Sequence, residues 1–146
     1  MPEFGGLKLS QDENAARYFD DVHHTPLACG HRRGSGADLM HFDRPGHIGW
    51  GGNSGFQALN LAAQMGPARI VLVGLDMTIT GGVHWHGAHP DNSYKLHNPT
   101  EQITNRWARP IEAAAPVLAE RGIEVLNASA VSKLTAYAKV NFEDLF

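Results

Sequence analysis

The chain predicts an α/β fold, a parallel sheet flanked by helices, and three stretches carry the expectation. A glycine loop, Gly51-Gly52-Asn53-Ser54-Gly55, opens an apolar helical pattern. Arg69-Ile70-Val71-Leu72-Val73-Gly74-Leu75-Asp76 then reads as a buried strand ending in a carboxylate. A long helical pattern leads from there to a second apolar strand, Ile123-Glu124-Val125-Leu126. Strand, crossover helix, strand is the connection that closes right-handedly into a parallel pair.

The elements follow in order. Leu7 to Leu9 suits a short strand, and Asp12 to Phe19 a short helix capped by Ser10 or Asp12. From His23 to Gly52 the glycines, prolines and five of the nine histidines predict irregular structure around one short strand at Pro26-Leu27-Ala28-Cys29. Asn53 or Ser54 caps the next helix, whose apolar positions Phe56, Leu59, Ala62, Ala63 and Met65 recur at helical spacing until Gly66-Pro67 stops it. Ile70 to Val73 is a continuous β-branched and leucine run, which suits a central strand covered on both faces. Asn98 as N-cap, Pro99 at the first helical position and Glu101 start a helix that runs to about Arg121. Its period is carried by Ile103, Trp107, Ile111, Ala114 and Leu118, with Pro110 and Pro116 each removing a backbone donor and Gly122 ending it. A final short helix is expected from about Val131.

The whole is one domain, residues 1–146, with an irregular part over 1–52 and the helix-strand-loop-helix-strand-helix core over 53–146. A length of 146 residues with 42% hydrophobic content supports one core and not two. A formal net charge of −3 with 18% charged residues supplies no basic field for a nucleic-acid backbone. Cys29 is the single cysteine, which excludes an intramolecular disulfide and a cysteine-built metal site and makes the cytoplasm the expected compartment. No apolar run reaches the roughly 20 residues of a membrane span, and no basic and apolar leader is expected.

Open parallel sheets bind ligands beyond the carboxyl ends of their strands, beside a switch in strand order. Gly51 to Gly55, Gly74-Leu75-Asp76 and Asn127-Ala128-Ser129 should converge there. Gly52, Asn53, Ser54 and Gly55 lie at a helix N-terminus, where unpaired amides and the helix dipole favour a phosphate or carboxylate. An anionic small molecule is the expected ligand, with Asp76, Asn127 and Ser129 completing its site. The same residues also have plain structural uses: a tight turn for the glycines, a cap for Ser54, a turn cap for Asp76, and turn chemistry for Asn127 and Ser129.

The loop from Thr78 to His97 leaves the same edge and carries His84, His86, His89 and His97. One of His84, His86 or His89 suits a general base or acid, because imidazole exchanges protons near neutrality. The spacing also allows these three to share a metal, as in a metal-dependent hydrolase with Asp76. It resembles the zinc motif of the metallo-β-lactamase superfamily, with Ala88 where that motif has an aspartate. Surface or structural histidines are the third reading.

The order of features from Gly52 to Phe146 resembles the later half of bacterial sialyltransferase-like glycosyltransferases, the group of the lipooligosaccharide sialyltransferases, and similar phage and prophage proteins of unknown role. The resemblance rests on Asn53-Ser54-Gly55, the Ile70-to-Met77 run, the histidine loop, the long helix and Asn127-Ala128-Ser129. It implies a Rossmann-like sheet without its first βαβ unit, and so a truncated chain, a minimal inactive descendant, or a chain whose partner supplies the missing edge. It implies further that Asn53, Ser54 and Gly55 hold a nucleotide sugar and that His84, His86 or His89 is the base, with no metal cofactor required. Those enzymes touch the leaving phosphate with loop tyrosines, for which Tyr94 is the residue present. A sheet lacking that unit would leave Ile70 to Val73 uncovered and predicts a homo-oligomer. The alternative from another class is a non-catalytic binding or assembly protein of a phage or prophage.

Overall fold

The computed structural model describes residues 5–32, 34, 36–83, 87–90 and 97–145. Its elements run β1 (Lys8–Ser10), α1 (Glu13–Tyr18), β2 (Val22–His24), α2 (Ser54–Gln64), β3 (Arg69–Leu72), α3 (Glu101–Glu120), β4 (Glu124–Asn127) and β5 (Ala138–Lys139), closed by a 3-10 turn at Phe142–Leu145. Both sheets are parallel, one of order β1-β2 and one of order β3-β4-β5. The α/β class therefore holds.

The first unit is a short βαβ. Asp12 caps α1 by accepting the Asn14 amide at 2.9 Å, and Lys8 pairs with Val22 in register. β2 falls where irregular chain was expected from His23 onward, because pairing with β1 extends the backbone there. Lys8 also hydrogen-bonds Asp21 across the unit, which lowers the Asp21 carboxyl below its ordinary value. The strand expected at Pro26 to Cys29 reduces to a single parallel bridge between Leu27 and Ile48.

The irregular stretch that follows is tied down by two amide side chains on α2. Asn60 is fully buried; its Oδ1 accepts from the amides of His41 at 3.1 Å and Gly49 at 3.0 Å, and its Nδ2 donates to the His41 carbonyl at 2.9 Å. Gln64 donates to the carbonyls of His41 and His47 and accepts from Gly46 at 2.8 Å. These bonds satisfy backbone groups that no sheet or helix partner serves.

Asn53 caps α2 through its Oδ1, which accepts the Phe56 amide at 2.9 Å, and the helix buries Phe56, Leu59, Asn60 and Ala63. Met65 does not continue that face. It is 73% exposed, since it stands at the C-cap beyond the last full turn. The α3 start also differs from expectation: Thr100, not Asn98, is the N-cap, accepting the Ile103 amide at 3.3 Å. Asn98 is occupied instead with His89, accepting from its amide at 2.7 Å and donating to its carbonyl at 3.0 Å, which leaves Pro99 outside the helix. α3 continues through Pro110 and Pro116 and ends at Gly122 with φ 71°, where Gly122 donates to Ala119 and Ile123 to Leu118. That pair of bonds is the Schellman termination, and Leu118 and Ile123 both enter the core.

The core joins Phe56, Leu59 and Ala63 of α2 to Ile111, Ala114 and Leu118 of α3, with Leu72, Ile123, Leu134 and Tyr137. The Tyr137 hydroxyl donates to the Ile111 carbonyl, and burial, reinforced by Glu112, pushes the phenol well above its ordinary value. No final helix starts at Val131. The carboxylate of Glu112 takes the amides of Thr135 and Ala136, and the chain returns to the sheet as β5 beside β4.

Two expectations about the sheet are corrected. Among the described strands β3 lies at the edge of its sheet and β4 at the centre, so the run from Ile70 is not a central strand, and Val73, just past it, is 58% exposed. Gly55, Ala58, Leu59 and Ala62 of α2 and the run from Ile70 to Val73 line one groove of about 340 Å³. The order β3-β4-β5 follows the chain, so the described strands contain no switch in strand order.

Candidate functional site

The carboxyl end of the larger sheet is laced by side chains just past the strands. Ser129 Oγ accepts the Leu75 amide at 3.0 Å, and Asn127 Oδ1 accepts the Ser129 amide at 3.0 Å. Ser132 Oγ donates to the Leu75 carbonyl, and the Lys133 amide to that of Asp76. The segments after β3 and β4 thus converge as expected. Asn127 and Ser129 are both buried, at 0% and 6% exposure, and hold the convergence together. Asn127 retains one orphaned group, the buried Nδ2, which has no hydrogen-bond partner.

Beside this latch lies a cavity of about 400 Å³. Asp76, Thr78 and Val83 of the loop after β3 form one wall, and Pro99, Thr104 and Trp107 around the start of α3 form another. Asp76 is exposed at its rim. Met77, also in the wall, has φ 53°, the left-handed region that a residue with a Cβ occupies at a cost of about 1–2 kcal/mol. Val83 immediately precedes His84 in the chain. His84, His86 and Tyr94 lie outside the described residues; His89 is half-buried, with its backbone clasped by Asn98. Among the described residues no group of three or more histidine, cysteine or acidic side chains could hold a metal.

The glycine loop opens on a second cavity, of about 470 Å³, lined by Arg32, Asp38, Trp50, Gly52 and Arg106. The Arg32 guanidinium stacks on Trp50 at 4.7 Å from the ring centroid. Arg106 pairs with Asp38 at 2.8 Å and reaches the Gly51 carbonyl at 3.5 Å. Two guanidinium groups and one carboxylate therefore line the cavity, which carries a positive excess. A Cβ on Gly52, which lines this cavity, would lie 3.3 Å from the ring of Trp107, which lines the other.

The four loop residues named from the sequence divide by role. Gly52 lines the arginine cavity. Asn53 is spent on capping α2 and on the carbonyls of Gly51 and Trp107. Ser54 is exposed, and its amide and that of Gly55 begin the helix without an intrahelical acceptor. Gly55 packs against Leu75, where a Cβ would meet Leu75 at 2.7 Å. Sequence reasoning missed Arg32, Trp50, Arg106 and Trp107 as site residues. The one available signal was the tryptophan directly before the glycine loop.

No helix among the described residues is long and apolar enough to cross a membrane. Comparison of the chain with protein-family models, with curated proteins and with solved structures finds no match.

Proposed function

We propose that this chain binds a nucleotide sugar or a closely related phosphate ester across the two adjoining cavities, as a sialyltransferase-like protein on a Rossmann-like scaffold. The observation that supports this most is a cationic, tryptophan-bearing cavity and a second one lined by Asp76 and Thr78, with Gly52 of the first in close approach to Trp107 of the second. A phosphate suits the first, where Arg32, Arg106 and the N-terminal turn of α2 supply positive charge and donors. A planar base suits Trp50 and the Arg32 guanidinium. Sugar hydroxyls suit Asp76 and Thr78. In the transferase chemistry, His84, His86 or His89 takes the proton from an acceptor hydroxyl as that oxygen attacks the anomeric carbon, and the phosphate leaves with its charge held by the arginines.

The test is titration calorimetry with cytidine 5′-monophosphate and with cytidine alone. Binding of the phosphate ester, weakened tenfold or more by Arg32→Glu, is expected; tenfold corresponds to about 1.4 kcal/mol. Equal affinity for both ligands, or none for either, would remove the anionic reading. Replacing His84, His86 and His89 together with alanine should leave that affinity intact and abolish donor turnover.

A further inference from the structure

We infer that the base of the ligand is guanine, recognised by the carboxylate of Asp38, an assignment that rests on the nucleotide reading above. Arg32, Arg106 and the first turn of α2 favour a phosphate, and a carboxylate lining the same cavity opposes one by like charge. An acceptor in that place serves a neutral part of the ligand that offers N–H donors.

Asp38 is held beside the stacking platform. The carbonyl of Ala37, a residue only 1% exposed, accepts the amides of Trp50 at 2.6 Å and Gly51 at 3.1 Å, so the residue directly before Asp38 is fastened to the tryptophan and to the glycine loop. The His41 ring donates from Nε2 to the Gly36 carbonyl at 2.9 Å and secures the same short segment. Arg106 Nη2 fixes the carboxylate through Oδ1 at 2.8 Å, which uses one of the roughly four acceptor sites a carboxylate has. The Asp38 side chain keeps 44% exposure, so the other sites are open to a ligand. Arg106 keeps N–H groups beyond its bonds to Asp38 and Gly51, and these serve the phosphate.

Stacking on Trp50 and the Arg32 guanidinium gives affinity without choice, because every base has a π-face. The edge of the base therefore decides. Guanine sets two donors side by side, N1–H and the N2 amine, which a carboxylate meets with both oxygens in a charge-assisted pair. Cytosine and adenine set one amine beside a ring nitrogen whose lone pair the carboxylate repels, and uracil sets one N–H between two carbonyls. A carboxylate also suits the paired hydroxyls of a ribose. The fastening of its segment to Trp50 favours the base.

The test is calorimetric titration of the full chain with guanosine, inosine and cytidine 5′-monophosphates, which share ribose and phosphate; inosine lacks only the 2-amino group of guanosine. The guanosine ester should bind about tenfold or more tightly than either of the others, since each loses a hydrogen bond to a charged group. In Asp38→Asn that preference should disappear. Comparing ligands within one protein cancels any general effect of the substitution on folding or on the phosphate, and if the variant fails to fold, the native-chain ratios decide alone. Equal affinity for the guanosine and cytidine esters in the native chain overturns the guanine assignment and leaves the phosphate reading standing. So does a preference that persists in folded Asp38→Asn, or an equal loss for all three esters, which would put the carboxylate on the ribose. Binding of none of the three removes both.

Discussion

Replacing Asn60 by leucine should cost about 2–4 kcal/mol, although it places an apolar residue of similar volume in a fully buried site. The side chain makes three hydrogen bonds, all to the backbone of the irregular stretch that leads into the glycine loop. Losing them orphans the His41 and Gly49 amides, while the His41 carbonyl keeps its bond from Gln64 at 2.8 Å. Each buried donor left unsatisfied costs about 1–3 kcal/mol, so two such donors give the estimate, with partial hydration of the half-buried His41 holding it below the maximum. The cost is a large fraction of the 5–15 kcal/mol typical of a domain. Urea unfolding followed by far-ultraviolet circular dichroism reads the loss as a lower midpoint at unchanged slope. Amide exchange should speed at His41 and Gly49 first. A loss under about 1 kcal/mol, or unchanged protection of those two amides, would refute the claim that α2 orders this stretch through Asn60.

Two further perturbations separate space from backbone conformation and add a pH test. Gly51→Ala places a Cβ 2.1 Å from the buried Phe56 ring at φ 56°, and should cost about 3 kcal/mol in urea unfolding. Gly122→Ala meets nothing within 4 Å at φ 71° and should cost only about 1 kcal/mol, so equal losses would show that the Phe56 contact is not what matters. Tyr137 titrates higher in the folded chain than its ordinary 10.0, so the folded state holds the proton longer than the unfolded one. Its stabilisation is complete below pH 10 and declines as pH rises beyond it; Tyr137→Phe should flatten that alkaline decline in thermal melts, and an identical decline in both proteins would contradict the assignment.

Sequence legibility followed the range of the interactions involved. α2, α3, β3 and β4 were readable because a cap, a helical period or a β-branched run is local, and Asn53 is both the sequence-read cap and the observed one. The start of α3 was misplaced by two residues because Asn98, a good cap by type, is claimed by His89, and Thr100 serves instead. Met65 matched the period of α2 but fell past its last turn. The position of β3 was misread because an apolar run looks the same in a central strand and in an edge strand that lines an apolar groove. Asn60, a polar residue inside an apolar pattern, was the overlooked clue that α2 organises a loop.

The candidate site shows the same division. The glycine loop, Asp76, Asn127 and Ser129 could be named from local pattern, and the segments after β3 and β4 that carry the last three do converge. Arg32, Trp50 and Arg106 could not, since they are brought together from distant parts of the chain by the Asp38 ion pair and the fold of the irregular stretch. The buried side chains Asn127 and Ser129 act through the backbone they hold, a use that turn chemistry allowed from the start.

The most direct measurement is nuclear magnetic resonance shift mapping of the full chain as cytidine 5′-monophosphate is added. Perturbed signals should cluster at Gly52, Ser54 and Gly55, at the Trp50 and Trp107 indoles and at Arg106, and the same titration with cytidine should leave the loop amides unmoved. Shifts confined to other faces of the molecule, or no shifts at millimolar ligand, would contradict a phosphate-ester site at the glycine loop.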